Sequence, residues 1–237
     1  MTYKIVYLTA LLSLLATRSL IAQETVNKDW NIEKIRGSRL IPYLTLNGNP
    51  YLTDKFVTGE IEFADGEKIT NLSLRYSTFQ DEVIYYNNVL TARIIIDKRS
   101  LHSFSFIDAD GRLRRFRQQY YNGFLPENRY FEVLSEGDFS LLAFRKVIMQ
   151  TCPVYTDLSG SPKNMEYQKS YTYFIYNPKT GYEQIKIGKN SLLSKFDKSN
   201  QKLVKKILRS NKVVIKDESD FIKAWNMIRK NGIAMTF

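Results

Sequence analysis

Residues 56–77 read FVTGEIEFADGEKITNLSLRYS, and this stretch decides the fold class. Apolar side chains recur at every second position on both sides of the dipeptide Asp65-Gly66. They are Val57, Ile61 and Phe63 before the dipeptide and Leu72, Leu74 and Tyr76 after it. A period of two is typical of a strand with one buried face. Because Asp-Gly tolerates the positive φ angles of a tight turn, the stretch predicts an antiparallel hairpin.

The alternating pattern continues to residue 188 and is interrupted by further turn sequences. These are Asn87-Asn88, Asp110-Gly111, Glu136-Gly137 and residues 177–181. Strands joined by short turns pair antiparallel, so the sequence predicts an α+β protein that is mostly β. We expect about ten strands in an antiparallel meander that is barrel-like or forms a sandwich.

After residue 188 the period changes to that of a helix. A short helix is expected near residues 190–196 with Asn190 or Ser191 as its cap, and a second helix begins after Ser199. A third helix follows, with acids in its first turn and Gly232 just past its end. The apolar stripes of the last two helices are Leu203, Val204, Ile207 and Leu208, and Phe221, Ile222, Trp225 and Ile228. Stripes this short need tertiary packing, so we expect two or three C-terminal helices packed on the sheet.

The N-terminus has the layout of a signal peptide. Lys4 precedes an apolar run from residue 5 to residue 16, and the small residue Ala22 supplies a cleavage site. The run is shorter than the roughly 20 residues that span a bilayer. We therefore predict export, with residues 1–22 removed. Residues 23–49 show no firm period and are interpreted as a tethering segment, 50–188 as the β body, and 189–237 as a basic helical segment docked on it.

The positive charge of the chain is concentrated at its C-terminal end. The whole sequence carries a net charge of +11, and residues 183–237 carry eleven lysines and two arginines against five acids. The residues between the signal peptide and this segment are close to neutral. An exported protein with a neutral β body is a poor match for nucleic acid, which we exclude as a partner.

Two groups of residues are candidate binding sites. Residues 110–124 hold four arginines and four aromatics. Basic and aromatic side chains in this mixture suit an anionic ligand, although a solvated strand face with a bulge at Arg114 and Arg115 also explains the pattern. The candidates are Arg112, Arg114, Arg115, Arg117, Tyr120 and Tyr121. The second group lies opposite an apolar helix stripe and is either a solvated helix face or a membrane or partner surface. It is formed by Lys202, Lys205, Lys206, Arg209 and Lys212.

The residue inventory argues against several kinds of catalytic site. The chain has one histidine, His102, and one cysteine, Cys152. Zinc sites need several such ligands, so we expect no metal and no other cofactor. No nucleophile motif surrounds either residue, and no catalytic residue is predicted. The leading hypothesis is an exported non-enzymatic protein that binds a ligand or an envelope partner.

Two alternatives stay open. The chain has 24 acids, so a hydrolase of envelope glycans that uses paired carboxylates is one of them. The other is a lipid carrier, which would require the sheet to enclose an apolar cavity.

Three segments together resemble a family of exported proteins from Gram-negative bacteria that has no assigned activity. They read NGNPYLTDKFVTGEIEFADGEKITNLSLRYSTFQDEVIYY (47–86), RYFEVLSEGDFSLLAFRKV (129–147) and LLSKFDKSNQKLVKKILRSNKVVIKDESDFIKAWN (192–226). The shared layout is a Gly-x-Pro-Tyr-Leu stretch, an Asp-Gly hairpin, a second hairpin at Glu136-Gly137 and lysine-rich helices. The resemblance implies the periplasm or the outer cell surface as the location, and it implies no activity.

Overall fold

The computed structural model describes residues 34–123 and 126–236. Eleven strands form one antiparallel sheet in the order β1-β5-β4-β3-β2-β6-β7-β8-β9-β10-β11. The strands are β1 (Gly37–Arg39), β2 (Val57–Phe63), β3 (Lys68–Ser77), β4 (Glu82–Asn87), β5 (Ala92–Ile96), β6 (Leu101–Ile107), β7 (Leu113–Tyr121), β8 (Glu127–Ser135), β9 (Ser140–Thr156), β10 (Pro162–Asn177) and β11 (Gly181–Ile185). The predicted fold class is confirmed, with one strand more than the approximate count.

The turns predicted from the sequence join the strands as expected. Gly66 and Gly111 have φ angles of 86° and 75°, which explains why the β2–β3 and β6–β7 turns contain glycine. The long β9–β10 hairpin was not predicted from the sequence. Its turn is closed by Asp157, whose carboxylate accepts hydrogen bonds from the backbone N–H groups of Ser159 and Ser161. At this outer end, the β9–β10 register shifts between Lys163 and Met165.

The sheet is strongly curled. Tyr76 on β3 and Tyr130 on β8 are four places apart in strand order, which would separate them by about 19 Å in a flat sheet. Their ring centroids are only 6.2 Å apart. The space inside the curl is filled by rings, including Phe104, Phe106 and Phe116. Among the described residues β1 and β11 remain separate edges, so the sheet is not closed into a barrel.

Each strand has an inner face, which carries Phe104 and Phe116 inside the curl, and an outer face on the opposite side. Three helices pack on the inner face near β8–β11: α1 (Lys189–Leu193), α2 (Lys198–Ser210) and α3 (Glu218–Lys230). Trp225 of α3 is fully buried in a cluster that also contains Leu141 of β9 and Ile175 of β10. Sheet and helices therefore share one hydrophobic core.

The helix stripes were predicted correctly in part, and the caps were not. Leu203 of α2 is exposed, whereas Val204 and Leu208 are buried. The side chain of Asp197, rather than Ser199, caps α2 by accepting a hydrogen bond from the backbone N–H of Asn200. Helix α1 begins after Gly188 without a side-chain cap, because Asn190 and Ser191 lie inside it.

The segment before β2 is not structureless where it is described. Strand β1 pairs with β5 at one edge of the sheet, and Leu40 is buried. Farther along, Asn47 forms an isolated bridge with Glu166 of β10. The predicted tethering segment therefore contributes an edge strand. The predicted signal peptide lies outside the described residues.

Candidate functional site: two faces of strand β7

The arginine-rich stretch forms a regular strand. Strand β7 pairs with β6 without a register shift from Leu113 to Arg117. The bulge expected at Arg114 and Arg115 is therefore wrong, and Leu113 is 47% exposed. Regular alternation sends Arg114 to the inner face with Phe116, and sends Arg115 and Arg117 to the outer face.

Arg114 belongs to an ion-pair network between the sheet and α3. Its guanidinium donates two hydrogen bonds to Glu132, with N–O distances of 2.9 and 2.6 Å. Arg145 donates to Glu132 at 2.5 Å and makes a two-point contact with Glu218 of α3 at 2.6 and 2.8 Å. Arg112 completes the network at 3.7 Å from Glu218. Since the Arg114 side chain is only 15% exposed, its interpretation as a solvated residue is wrong.

The network holds its charges in the ionised form. Burial alone would lower the pKa of Arg145, but the hydrogen bonds and charges of Glu218 and Glu132 outweigh it and raise that pKa. Burial alone would raise the pKa of Glu218, and the bonds from Arg145 hold it below its usual value instead. Tyr173 donates a hydrogen bond to Glu218, and burial together with this bond raises the pKa of Tyr173 to about 12. The network is thus paired at every strong charge and fits a structural role.

A second buried carboxylate, that of Asp81, lies in the turn between β3 and β4. Asp81 accepts hydrogen bonds from the Tyr76 hydroxyl and the Lys98 ammonium, both at 2.5 Å. Burial raises the pKa of Asp81, although Lys98 and Tyr76 act against the shift. Its φ angle of 59° places it in the left-handed region, which Asp tolerates better than most residues.

The outer face carries a polar groove of about 260 Å³ across β2, β6 and β7. Its residues form two rows across the strands, set by the register of the pairs. One row is Glu62, Ser103 and Arg117, and the other is Glu60, Ser105 and Arg115. Each serine hydroxyl donates to the glutamate of its row, at 2.9 Å to Glu62 and 3.1 Å to Glu60. The groove therefore has an acidic wall on β2, a hydroxyl floor on β6 and a basic wall on β7.

The basic wall retains unused hydrogen-bonding capacity. Arg117 is within 3.5 Å of Glu136, but its buried Nε atom has no partner among the described residues. Arg115 is exposed and, in residues 34–123 and 126–236, forms no ion pair. A buried donor without a partner costs about 1–3 kcal/mol, so an acceptor that reached Arg117 would recover this free energy.

An aromatic cluster adjoins the groove on the same face. Phe131 of β8 lies directly opposite Arg117, and its ring is 5.2 Å from that of Tyr182 on β11. Tyr121, one of the predicted candidates, packs against Tyr182 at 5.4 Å. Tyr120 points the other way and is exposed. The structure thus brings Arg115, Arg117 and Tyr121 to one face and separates them from Arg112 and Arg114.

Sequence reasoning missed the acidic wall and the hydroxyl floor. The signal was present in the polar positions of two alternating strands, Glu60 and Glu62 in GEIEF and Ser103 and Ser105 in HSFSF. Single polar positions on a strand are ordinary surface residues, and only the strand order β2-β6-β7 places these four beside the arginines.

The single histidine and the single cysteine occupy different regions. His102 is exposed and lines the outer-face groove. Cys152 is on β9 opposite the irregular part of β10 and does not line that groove. Partial burial and the charge of Glu166 raise the pKa of the Cys152 thiol, which makes it a weak nucleophile.

The predicted basic surface is on α2 and the loop that follows it. Lys202, Lys205, Lys206 and Arg209 are exposed on the helix, and Lys212 is exposed just after it. This surface shares no residue with the groove, whose lining comes from β2, β3, β6, β7, β8 and the turn after β8.

Comparison of the chain with protein-family models, with curated proteins and with solved structures finds no match. Within residues 34–123 and 126–236, no helix has the length and apolar character needed to cross a membrane. In the same residues, no three His, Cys, Asp or Glu side chains are grouped in a way that could hold a metal ion.

Proposed function

We propose that the protein is an exported, non-enzymatic binding protein of the cell envelope, and that the outer-face groove holds its ligand. The observation that carries the proposal is the pair of Glu–Ser–Arg rows, with the Nε donor of Arg117 left without a partner. The inner network offers a contrast, because its arginines are bound to buried glutamates and have little capacity left for a ligand.

The chemistry of the groove favours an acidic saccharide. Guanidinium groups bind carboxylates and phosphates through paired hydrogen bonds, so Arg115 and Arg117 suit an anionic substituent. The carboxylates of Glu60 and Glu62 accept hydrogen bonds from sugar hydroxyl or amine groups. The aromatic cluster of Phe131, Tyr121 and Tyr182 adds apolar surface beside the basic wall. Export is supported by the signal-peptide pattern of residues 1–22, and the envelope location by the family resemblance.

A binding measurement with peptidoglycan fragments released by lysozyme tests the proposal. These fragments are small and carry carboxylates on a glycan. We expect Arg115→Ala and Arg117→Ala each to weaken binding about 10-fold or more, since hydrogen bonds to charged groups contribute about 1.5–3 kcal/mol. Arg99→Ala is the matched control, because this exposed arginine pairs with Asp97 in the β5–β6 turn and does not line the groove. Equal affinity of all three variants and the unmodified protein would refute the assignment of the site.

A second candidate is a hydrolase of acidic glycans that uses carboxylates. It is favoured by one observation, which is that Glu60, Glu62 and Glu136 line the same groove. Glu60 and Glu62 are two residues apart on one strand, so both carboxylates are on the outer face and their Cα atoms are about 7 Å apart. Inverting glycosidases use two carboxyl groups about 6.5–9.5 Å apart. Prolonged incubation with the same fragments should then yield shorter glycans, and Glu62→Gln should abolish the products while binding persists. A lipid carrier is not favoured, because aromatic rings fill the curl of the sheet.

A further inference from the structure

The exposed face of α2 differs from every other charged region described above. The buried side of this 13-residue helix is formed by Val204 and Leu208. At 100° per residue, the four cations Lys202, Lys205, Lys206 and Arg209 fall within an arc of about 100° that faces away from this stripe. Lys212 extends the set beyond the helix end. We call these five residues the basic face.

The basic face is not neutralised by the rest of the protein. In the part of the chain that the structure describes, none of its five cations forms an ion pair. The two nearest acids in sequence, Asp197 and Asp217, each accept a hydrogen bond at the N-terminus of α2 and α3 respectively. By contrast, Arg114 and Arg145 are each bound to a carboxylate. Five clustered like charges repel one another, so the unpaired arrangement indicates an external anionic partner.

Apolar side chains flank the cations. Leu203 is 50% exposed on α2, next to Lys202 and one turn from Lys206. Val214 is 62% exposed in the loop that also carries Lys212. The sequence of α2 and the loop as far as Lys212 contains no aromatic residue, so the stacking platform that single-stranded nucleic acids use is absent from this segment. Cations bordered by aliphatic side chains are typical of helices that lie in the interface of a charged bilayer.

We propose that the basic face docks the protein on an anionic lipid surface, with Leu203 and Val214 entering the headgroup region. Helix α2 lies parallel to the membrane plane, and its buried stripe stays attached to the protein core. This surface acts independently of the groove, because the two share no residue. Docking concentrates the protein at the membrane while the groove remains free for its ligand.

Sedimentation with lipid vesicles tests the proposal. We expect binding to vesicles of phosphatidylglycerol and phosphatidylethanolamine at about 50 mM salt, weak binding to phosphatidylcholine vesicles, and release at about 500 mM salt. The triple variant Lys202→Gln, Lys205→Gln, Lys206→Gln should bind about 100-fold more weakly, because each cation near an anionic surface contributes about fivefold.

The matched control removes the same net charge from the β body. Its substitutions are Lys55→Gln, Lys169→Gln and Lys179→Gln, at three exposed lysines outside α2. The control should bind as the unmodified protein does, and both triple variants should melt at the same temperature because all six side chains are exposed. Leu203→Asn should weaken vesicle binding, whereas Leu90→Asn, at an exposed leucine of the β body, should not.

Three results would overturn the proposal. The first is equal loss of binding in the two triple variants, which would indicate that only net charge matters. The second is equal binding to anionic and neutral vesicles. The third is binding to soluble polyglutamate without binding to vesicles, which would assign the basic face to an acidic protein instead.

Discussion

Arg114 and Arg115 are neighbours in the chain, but they lie in opposite environments. Arg114 points into the fold and is bound through two hydrogen bonds to the buried Glu132. Arg115 points outward and lines an open groove without an ion-pair partner among the described residues. Side chains on a strand alternate between its two faces. The arginine cluster in the sequence is therefore divided into residues that stabilise the fold, such as Arg114, and residues that are free to bind a ligand, such as Arg115.

The difference shows where charge stabilises the fold and where it is available for function. On the inner face, each strong charge is desolvated and must be paired, since a lone buried charge is very costly. On the outer face, the exposed guanidinium of Arg115 is solvated when no ligand is present, and a ligand can displace that water. Burial therefore distinguishes the two roles better than residue type does.

The largest effect is expected at the centre of the shared core. Trp225→Ala should lower the free energy of unfolding by about 3–5 kcal/mol, because it empties a fully buried aromatic site between helix and sheet. Urea unfolding measures this change. Leu203→Ala on the exposed side of α2 is the control and should change stability by less than about 0.5 kcal/mol. A small effect at Trp225 would mean that the helices contribute little to the inner-face core.

The next effect concerns the charge shared by two inner-face arginines. Glu132→Gln should cost about 3 kcal/mol, because it leaves the buried Arg145 and the mostly buried Arg114 without their common carboxylate. Glu136→Gln is the outer-face counterpart, since Glu136 is exposed and pairs with the partly exposed Arg117. Its cost should be below about 0.5 kcal/mol. Similar costs for the two substitutions would contradict the division between the faces.

The comparison is sharpest for the adjacent arginines themselves. Arg114→Ala should destabilise the protein by about 1–3 kcal/mol, because it removes two charged hydrogen bonds from a buried acceptor. Arg115→Ala should leave stability within about 0.5 kcal/mol of the unmodified protein while weakening ligand binding. Thermal unfolding of the two variants side by side gives the result. Reversal of this order would invalidate the assignment of the faces.

The smallest effect expected is in the dependence on pH. Glu218 has a lowered pKa, so its contribution to stability is complete above its unfolded value of 4.5 and is lost as pH falls through the folded pKa. Asp81 has a raised pKa, so the native state binds its proton more tightly and its contribution improves as pH falls toward 3.8. Urea unfolding between about pH 7 and about pH 3 should therefore show opposite trends for Glu218→Gln and Asp81→Asn relative to the unmodified protein. Parallel trends would mean that one of the two shifts has the wrong sign.

The fold could be predicted from local signals. The alternation around Asp65-Gly66 and the later turn sequences specify antiparallel hairpins without any knowledge of distant residues. The stripe of Phe221, Trp225 and Ile228 likewise predicted a packed helix. The N-cap of α2 was not predicted correctly, because Asp197 and Ser199 are both residue types that favour this position. Which of them caps the helix depends on the residue at which α1 ends.

The candidate site was harder to predict from the sequence than the fold, because the site depends on strand order. Strands β2 and β6 are adjacent in the sheet but are separated in the chain by three other strands. No local pattern connects Glu62 with Arg117. The role of Arg114 was also hard to predict, because it depends on Glu132 of a different strand. Without that buried acid, an arginine on β7 would be expected to point into solvent.

The groove lies where two meanders join. Strands β2–β5 form one run of chain neighbours and β6–β11 form another, and only the β2–β6 pairing connects the runs at this point. The serine–glutamate hydrogen bonds across it span 41 and 45 residues, so closing this seam costs more chain entropy than any hairpin does. Long-range pairings of this kind slow folding, because the loop-closure entropy is lost before the contacts form. A ligand that contacts both Glu62 and Arg117 would bridge the β2–β6 seam. Because it would bind only when the two halves are paired, the ligand would stabilise their pairing.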